Sequence, residues 1–274
     1  MLPSSTPDAL WGAPPLRVLR PTAVACHDLR RRVRGRSLLD GVTLSVPAGA
    51  RLLVVSRPDE SASLLLRAIA GLARLDGGHV EVAGMSDPSR SGWVRRIGYV
   101  GPQPGLYPWM TPREALSLAA RLHGLDREAA DRRMSRLAEW VGVTAALETP
   151  ISRGGPPLEQ RVALAAALMS DPEVLLLDES LRALDPAERH RLLRFPPGRR
   201  AVLVASRYPA SEEGLCSHFA FLANGRLALL APLSRLGDER LPLSLHGIES
   251  LAAATPADGP VRPDRARRAA MPGR

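Results

Sequence analysis

Asp171 to Pro186 reads DPEVLLLDESLRALDP. Val174 to Leu177 is a short run apolar on both faces, bounded by Asp171-Pro172 before it and by Asp178-Glu179 after it. That pattern predicts a strand buried on both faces of a parallel sheet. Acids at the carboxyl end of such a strand stand where open α/β sheets bind ligands. One acid can hold a magnesium ion and its neighbour can orient an attacking water. Read alone, the same two acids could equally be a turn and a solvated carboxylate.

Outward from this strand, Gln160 to Met169 is an alanine- and leucine-rich helical stretch, and Ala183-Leu184-Asp185-Pro186 follows the acids. Residues 160–186, QRVALAAALMSDPEVLLLDESLRALDP, resemble the ATP-binding cassette (ABC) ATPase family, the nucleotide-binding subunits of ABC transporters. The resemblance extends over about residues 22–238. It implies a P-loop, RecA-like α/β core with an antiparallel β subdomain and an α-helical subdomain over about 104–170. The expected organisation is a flexible arm at 1–20, the ATPase-like domain at 21–238, and a largely disordered extension at 239–274.

The whole chain sets bounds on this reading. Its 274 residues are 45% hydrophobic and carry a formal net charge of +9. That suffices for one sizeable core with a subdomain. All 37 basic residues are arginine, so a P-loop lysine is excluded. The arginines are spread along the chain without a nucleic-acid-binding motif, and no nucleic-acid partner is expected. Cys26 and Cys216 lie far apart without metal spacing and suit a reducing compartment. The N-terminal residues lack the basic and apolar regions of a signal peptide, and no apolar run is long enough to span a bilayer. The resemblance then implies a cytoplasmic subunit, peripheral at the inner face of the cell membrane. Its implied partners are a membrane permease and another ABC subunit, in a homo- or heterodimer.

The implied cofactors are ATP and magnesium. LDGVTLSVPAGARLLVV, residues 39–55, resembles the segment leading into the family's phosphate loop, and LLRAIAGL, residues 65–72, resembles the helix after it. Counting back from the helix puts Ser56 and Ser61 at the two glycines of G-x-x-x-x-G-K-[ST], Ala62 at the lysine and Ser63 at the magnesium-binding serine. Arg57 and Leu64 fall beside them in the implied nucleotide site. The glycines let backbone amides turn inward around phosphate, and the lysine meets its outer oxygens. Here only the serine is kept, and Asp59 and Glu60 add negative charge. A like-charge pair about 4 Å apart costs roughly 4 kcal/mol at an effective dielectric near 20. The expectation is that Asp59 or Glu60 fills the anion position itself.

Other implied elements are also altered. Val33 takes the place of the aromatic that stacks on adenine. Gln103 or Pro102 matches the glutamine that contacts magnesium and the membrane subunit, and Trp109 and Met110 follow it. Ser152, Gly154 and Gly155 stand in the signature segment ISRGGPPLEQR, with Ser152 eight positions from Gln160 where the usual motif has about five. Arg207 replaces the histidine that senses the γ-phosphate. Asp178, Glu179 and Asp185 match. The implied magnesium ligands are Ser63, Gln103 and Asp178, and the implied base is Glu179. The first functional expectation is a degenerate transporter subunit of exporter type with weak or absent hydrolysis, a pseudo-ATPase; residues 105–124 resemble those of drug- or haem-exporter subunits. An active ATPase acting through Asp178 and Glu179, and an interaction module of the same fold, stand beside it.

Overall fold

The computed structural model describes residues 21–57, 61–194, 200–212, 214–235 and 244–254. The expected N-terminal arm, and the acids Asp59 and Glu60, lie outside the described residues. Among the described residues, nine strands form two sheets. β1 (Thr22–Val33), β2 (Arg36–Pro47) and β4 (Gly77–Val82) make an antiparallel sheet in the order β2-β1-β4. The larger sheet runs β5-β6-β7-β3-β8-β9, with β3 (Arg51–Ser56), β5 (Ile97–Val100), β6 (Val174–Asp178), β7 (Ala201–Ala205), β8 (His218–Ala223) and β9 (Arg226–Pro232). All its neighbours pair parallel except β9, which closes the sheet antiparallel to β8.

The apolar run at 174–177 becomes a central strand for the reason its sequence suggests: side chains alternate across a pleated strand, so a strand covered on both faces must be apolar throughout. Leu175 and Leu177 of β6, Leu53 and Val55 of β3, and Val202 and Val204 of β7 enter one core. Val174 and Leu176, Leu52 and Val54, and Leu203 and Ala205 enter the other. The first core is covered by α3 (Pro112–Leu122), α4 (Arg127–Val141), α5 (Ile151–Ala167) and α6 (Pro186–Leu193). The second lies against α1 (Ser61–Ile69), α2 (Ser91–Arg96) and the three-stranded sheet. Helices α3 to α5 thus lie between residues 112 and 167.

Local chemistry sets the helix starts. Thr111 and Glu114 form a reciprocal capping box at α3, with Pro112 in its first turn. Asp126 caps α4 and Asp185 caps α6.

The extension expected to be largely disordered contains a helix, α7 (Leu245–Ala254), and that part of the expectation is corrected. Ile248 is fully buried, and Leu245, Leu251 and Ala252 pack on the first core. Apolar residues three apart give this stretch one face to bury. Residues 236–243 and 255–274 lie outside the described residues.

Candidate functional site

β3, β5, β6 and β7 end side by side, and their carboxyl ends open into a cleft of about 470 Å³. Ser56, Arg57, Ala62, Ser63, Gln103, Asp178, Glu179 and Arg207 line it, as do Pro102 and Ser206. The parallel pairing brings these together, because every loop that follows a parallel strand emerges at the same edge. Both residues that fit the glutamine position, Gln103 and Pro102, therefore face the same space.

Asp178 ends β6 and is 1% exposed. Ser63 Oγ donates to its Oδ1 at 2.6 Å, and the Tyr99 hydroxyl donates to its Oδ2 at 2.8 Å. Burial, then the hydrogen bond to this carboxylate, pushes the Tyr99 hydroxyl well above the usual tyrosine range, so the phenol stays a donor. Ser63 comes from the first turn of α1 and Tyr99 from β5, so three elements converge on one carboxylate.

Glu179 follows in a left-handed conformation, with φ 48°. Its side chain is 10% exposed and both oxygens are engaged. Oε1 accepts from the Arg207 backbone N–H at 2.6 Å. Oε2 accepts from Arg182 Nε at 2.8 Å. Arg182 also donates to Ser206 Oγ at 2.8 Å, and its guanidinium lies over the Tyr208 ring at 4.8 Å. The arginine is therefore held from three sides, and it holds Glu179 in turn.

In the loop between β3 and α1, the Ser56 hydroxyl lies inside the turn. It donates to the Arg57 carbonyl at 2.9 Å and accepts from the Ala62 N–H at 3.3 Å. The loop therefore satisfies from within a donor that an anion could otherwise use. Arg57 reaches away to Glu249 of α7, with Nε 2.8 Å from Oε1. Ser61 and Leu64 are buried in the α1 packing and do not line the cleft.

The residues fit a bound magnesium nucleotide only in part. Ser63 and Asp178 offer a hydroxyl and a carboxylate of the kind magnesium takes, and Gln103 lines the same cleft. The phosphate side does not fit: Ala62 has no cation, and its amide is bonded to Ser56. Arg57, Arg67 and Arg207 supply the positive charge of the cleft from other positions.

Ser152, Gly154, Gly155 and Asp185 lie outside this cleft. Ile151 to Gly154 form one helical turn, Gly155 breaks it with φ 66° and ψ −170°, and the helix resumes at Pro156. The longer spacing between Ser152 and Gln160 is taken up by that break. A helix N-terminus ordinarily presents four free amides to an anion. Pro156 and Pro157 remove two of them. Gln160 Oε1 instead accepts from the Ala183 N–H at 2.8 Å, tying α5 to the loop after β6. Asp185 accepts from the Glu188 N–H as a helix cap. Val33 is an exposed residue at the end of β1.

Sequence reasoning missed Tyr99, Arg67 and Arg182. Tyr99 was discoverable in principle, as a polar-tipped aromatic near the end of a strand beside β6. Arg182 carries no such signal, since its role depends on where the chain turns after Glu179.

A family profile described as ABC transporter matches residues 39–182. The uncharacterized ABC transporter ATP-binding protein YxlF of Bacillus subtilis strain 168 is 31% identical, over 64% of this chain and 59% of its own length. This chain thus matches less than two thirds of that relative. The Nod factor export ATP-binding protein I of Burkholderia orbicola is 28% identical over 73% of this chain and 67% of that protein. The linearmycin resistance ATP-binding protein LnrL of Bacillus subtilis is 25% identical over 81% of this chain and 75% of that protein. A solved ATP-binding subunit of an ABC transporter superposes with a TM-score of 0.73 at 23% identity, covering 85% of this chain and all of that one. A dimeric ATP-binding cassette in a post-hydrolysis state, bound to ADP and Pi, gives 0.69 at 17% identity, covering 77% and 98%.

Proposed function

Because the chain belongs to the ABC transporter family, we propose that it is a degenerate ATP-binding subunit that hydrolyses ATP weakly or not at all. It works at the cytoplasmic face of a membrane, beside a permease and in a dimer with a second, competent ATP-binding subunit. Among the described residues no helix is long and apolar enough to cross a membrane, so in this reading the pathway belongs to another chain. An export role is favoured by relatives named for Nod factor export and linearmycin resistance.

The observation that carries the reading is the pairing of the phosphate-loop amide with the chain's own hydroxyl. Ala62 replaces the cation, and its amide is bonded to Ser56 Oγ. A charged hydrogen bond contributes about 1.5–3 kcal/mol, and each 1.4 kcal/mol or so is tenfold in affinity. Losing the cation therefore weakens nucleotide on the order of 10–100-fold before the Ala62 amide is freed from Ser56. The clamp on Glu179 supports weak hydrolysis independently, since each of its oxygens already accepts a hydrogen bond and fewer lone pairs remain to orient an attacking water.

The arginines give the second reading its ground. Arg57, Arg67 and Arg207 line the cleft, and a phosphate chain could rest on them, leaving Asp178 and Glu179 to act as in an active ATPase. Calorimetry with Mg-ATP separates the two. No binding by the native chain, with binding gained in Ser56→Gly/Ala62→Lys, supports the degenerate reading. Saturable binding by the native chain that is lost in Arg57→Ala/Arg207→Ala moves the active reading to the front.

A further inference from the structure

On the outer sheet, away from the cleft, His27 of β1 and His79 of β4 are direct cross-strand partners. Their rings stack with centroids 4.6 Å apart and planes 19° from parallel. Glu81 is two residues beyond His79, hence on the same face of β4. Its Oε1 lies 3.6 Å from His79 Nε2. One donor atom from each of the three residues lies within 4.8 Å of the other two. We propose that His27, His79 and Glu81 form a surface site for a divalent transition metal of the zinc class.

The donor set selects the class. Two imidazoles and one carboxylate suit zinc, nickel, cobalt and copper, whereas magnesium and calcium prefer oxygen alone. Metal–nitrogen bonds of about 2.0–2.1 Å place neighbouring tetrahedral ligands roughly 3.4 Å apart. From within 4.8 Å of one another, the three donors converge on one ion by rotation of the two imidazoles out of their stack and of the Glu81 carboxylate, and water takes the fourth position.

The backbone beneath the site is fixed. A Cβ on Gly78, next to His79, would lie 2.4 Å from the His27 carbonyl oxygen and 2.3 Å from that of Asp28. Gly78 also has φ +79°. Only glycine permits so close an approach, and it pins β4 against β1 where the two histidines face each other. No other cluster of three His, Cys, Asp or Glu donors of this kind occurs among the described residues. Metal bound here would bridge β1 to β4 and stabilise the antiparallel sheet.

Zinc chloride titrated into the tag-free full chain in excess magnesium tests the site. One equivalent of zinc binds, the thermal midpoint rises, and cobalt(II) in place of zinc gives the visible absorption of a four-coordinate ion. His27→Gln and His79→Gln each lose at least about tenfold in affinity, no less than outer-shell losses alone produce. Glu81→Gln loses less. Circular dichroism melts without metal check that the exposed substitutions leave the fold intact. Absence of saturable zinc binding in the native chain, or unchanged binding in the His27→Gln/His79→Gln double variant, overturns the proposal.

Discussion

Asp178 has its two oxygens bonded to side chains from different elements, Ser63 of α1 and Tyr99 of β5. Removing the Tyr99 hydroxyl leaves a buried carboxylate oxygen without its donor, which costs about 1–3 kcal/mol. Tyr99→Phe should lower the unfolding free energy by that amount in urea, and an unchanged midpoint would mean that water replaces the phenol. The buried Cys26 thiol is governed by desolvation instead. Burial pushes it up to about 12 from an ordinary value near 9. A raised folded value means that its contribution to stability is complete below pH 9 and is lost as pH rises toward 12. Cys26→Ala should flatten the decline of stability across that window, and the native Cys26 thiol should resist thiol reagents at pH 8 until the chain unfolds. A decline as steep in the variant as in the native chain would place the alkaline sensitivity elsewhere.

At the scale of elements, α6 is joined to the short helical turn at Pro209–Glu212 by a buried ion pair. Arg189 Nη2 lies 2.7 Å from Glu212 Oε2, and the two side chains are 7% and 0% exposed. Losing one partner strands the other charge, at about 3–5 kcal/mol. Glu212→Gln should therefore be among the more damaging single changes in a chemical melt, although it touches nothing in the cleft. α7 gives the opposite contrast. Its ion pair, Glu249 to Arg57, is largely solvated and contributes at most about 1 kcal/mol. Ile248 is fully buried, and truncating it to alanine costs about 2–5 kcal/mol. Hydrogen exchange of the α7 amides should thus accelerate strongly in Ile248→Ala and little in Glu249→Ala. Equal acceleration in both would show that the contact with the phosphate loop holds the helix. The strands of the large sheet were the legible elements, because an unbroken apolar run such as 174–177 or 201–205 has few other uses in a chain of this size. α7 was not legible: its apolar face is short, and it sits beside a proline- and arginine-rich tail that reads as disorder.

For the molecule as a whole, several of the positions lining the cleft could be named in advance, though not Tyr99 or Arg67, because parallel strands deliver their loops to a single edge. Ser56, Ser63, Gln103, Asp178 and Arg207 meet there despite lying 151 positions apart at the extremes. How they are bonded could not be read, since the partners come from distant elements: Tyr99 for Asp178, and Arg182 for Glu179. The same bonding bears on assembly. The resemblance implies a nucleotide held between the phosphate loop of one subunit and the signature segment of the other. In this chain the loop amide of Ala62 is occupied, and the helix after Gly155 begins with two residues that have no N–H. Two copies facing each other would join an occupied loop amide to a depleted helix terminus at both sites. Mg-ATP should therefore not drive this chain into a homodimer, and sedimentation velocity at saturating nucleotide should give one 29.4 kDa species. Ser56→Gly/Ala62→Lys repairs only the loop, so it should bind nucleotide and still sediment as a monomer. A further change of Pro156→Ser/Pro157→Gly returns the two amides to the helix terminus, and dimerisation with Mg-ATP should appear only then. Nucleotide-dependent dimers of the native chain would mean that the arginines of the cleft do the work of the missing lysine, and would remove the need for a competent partner.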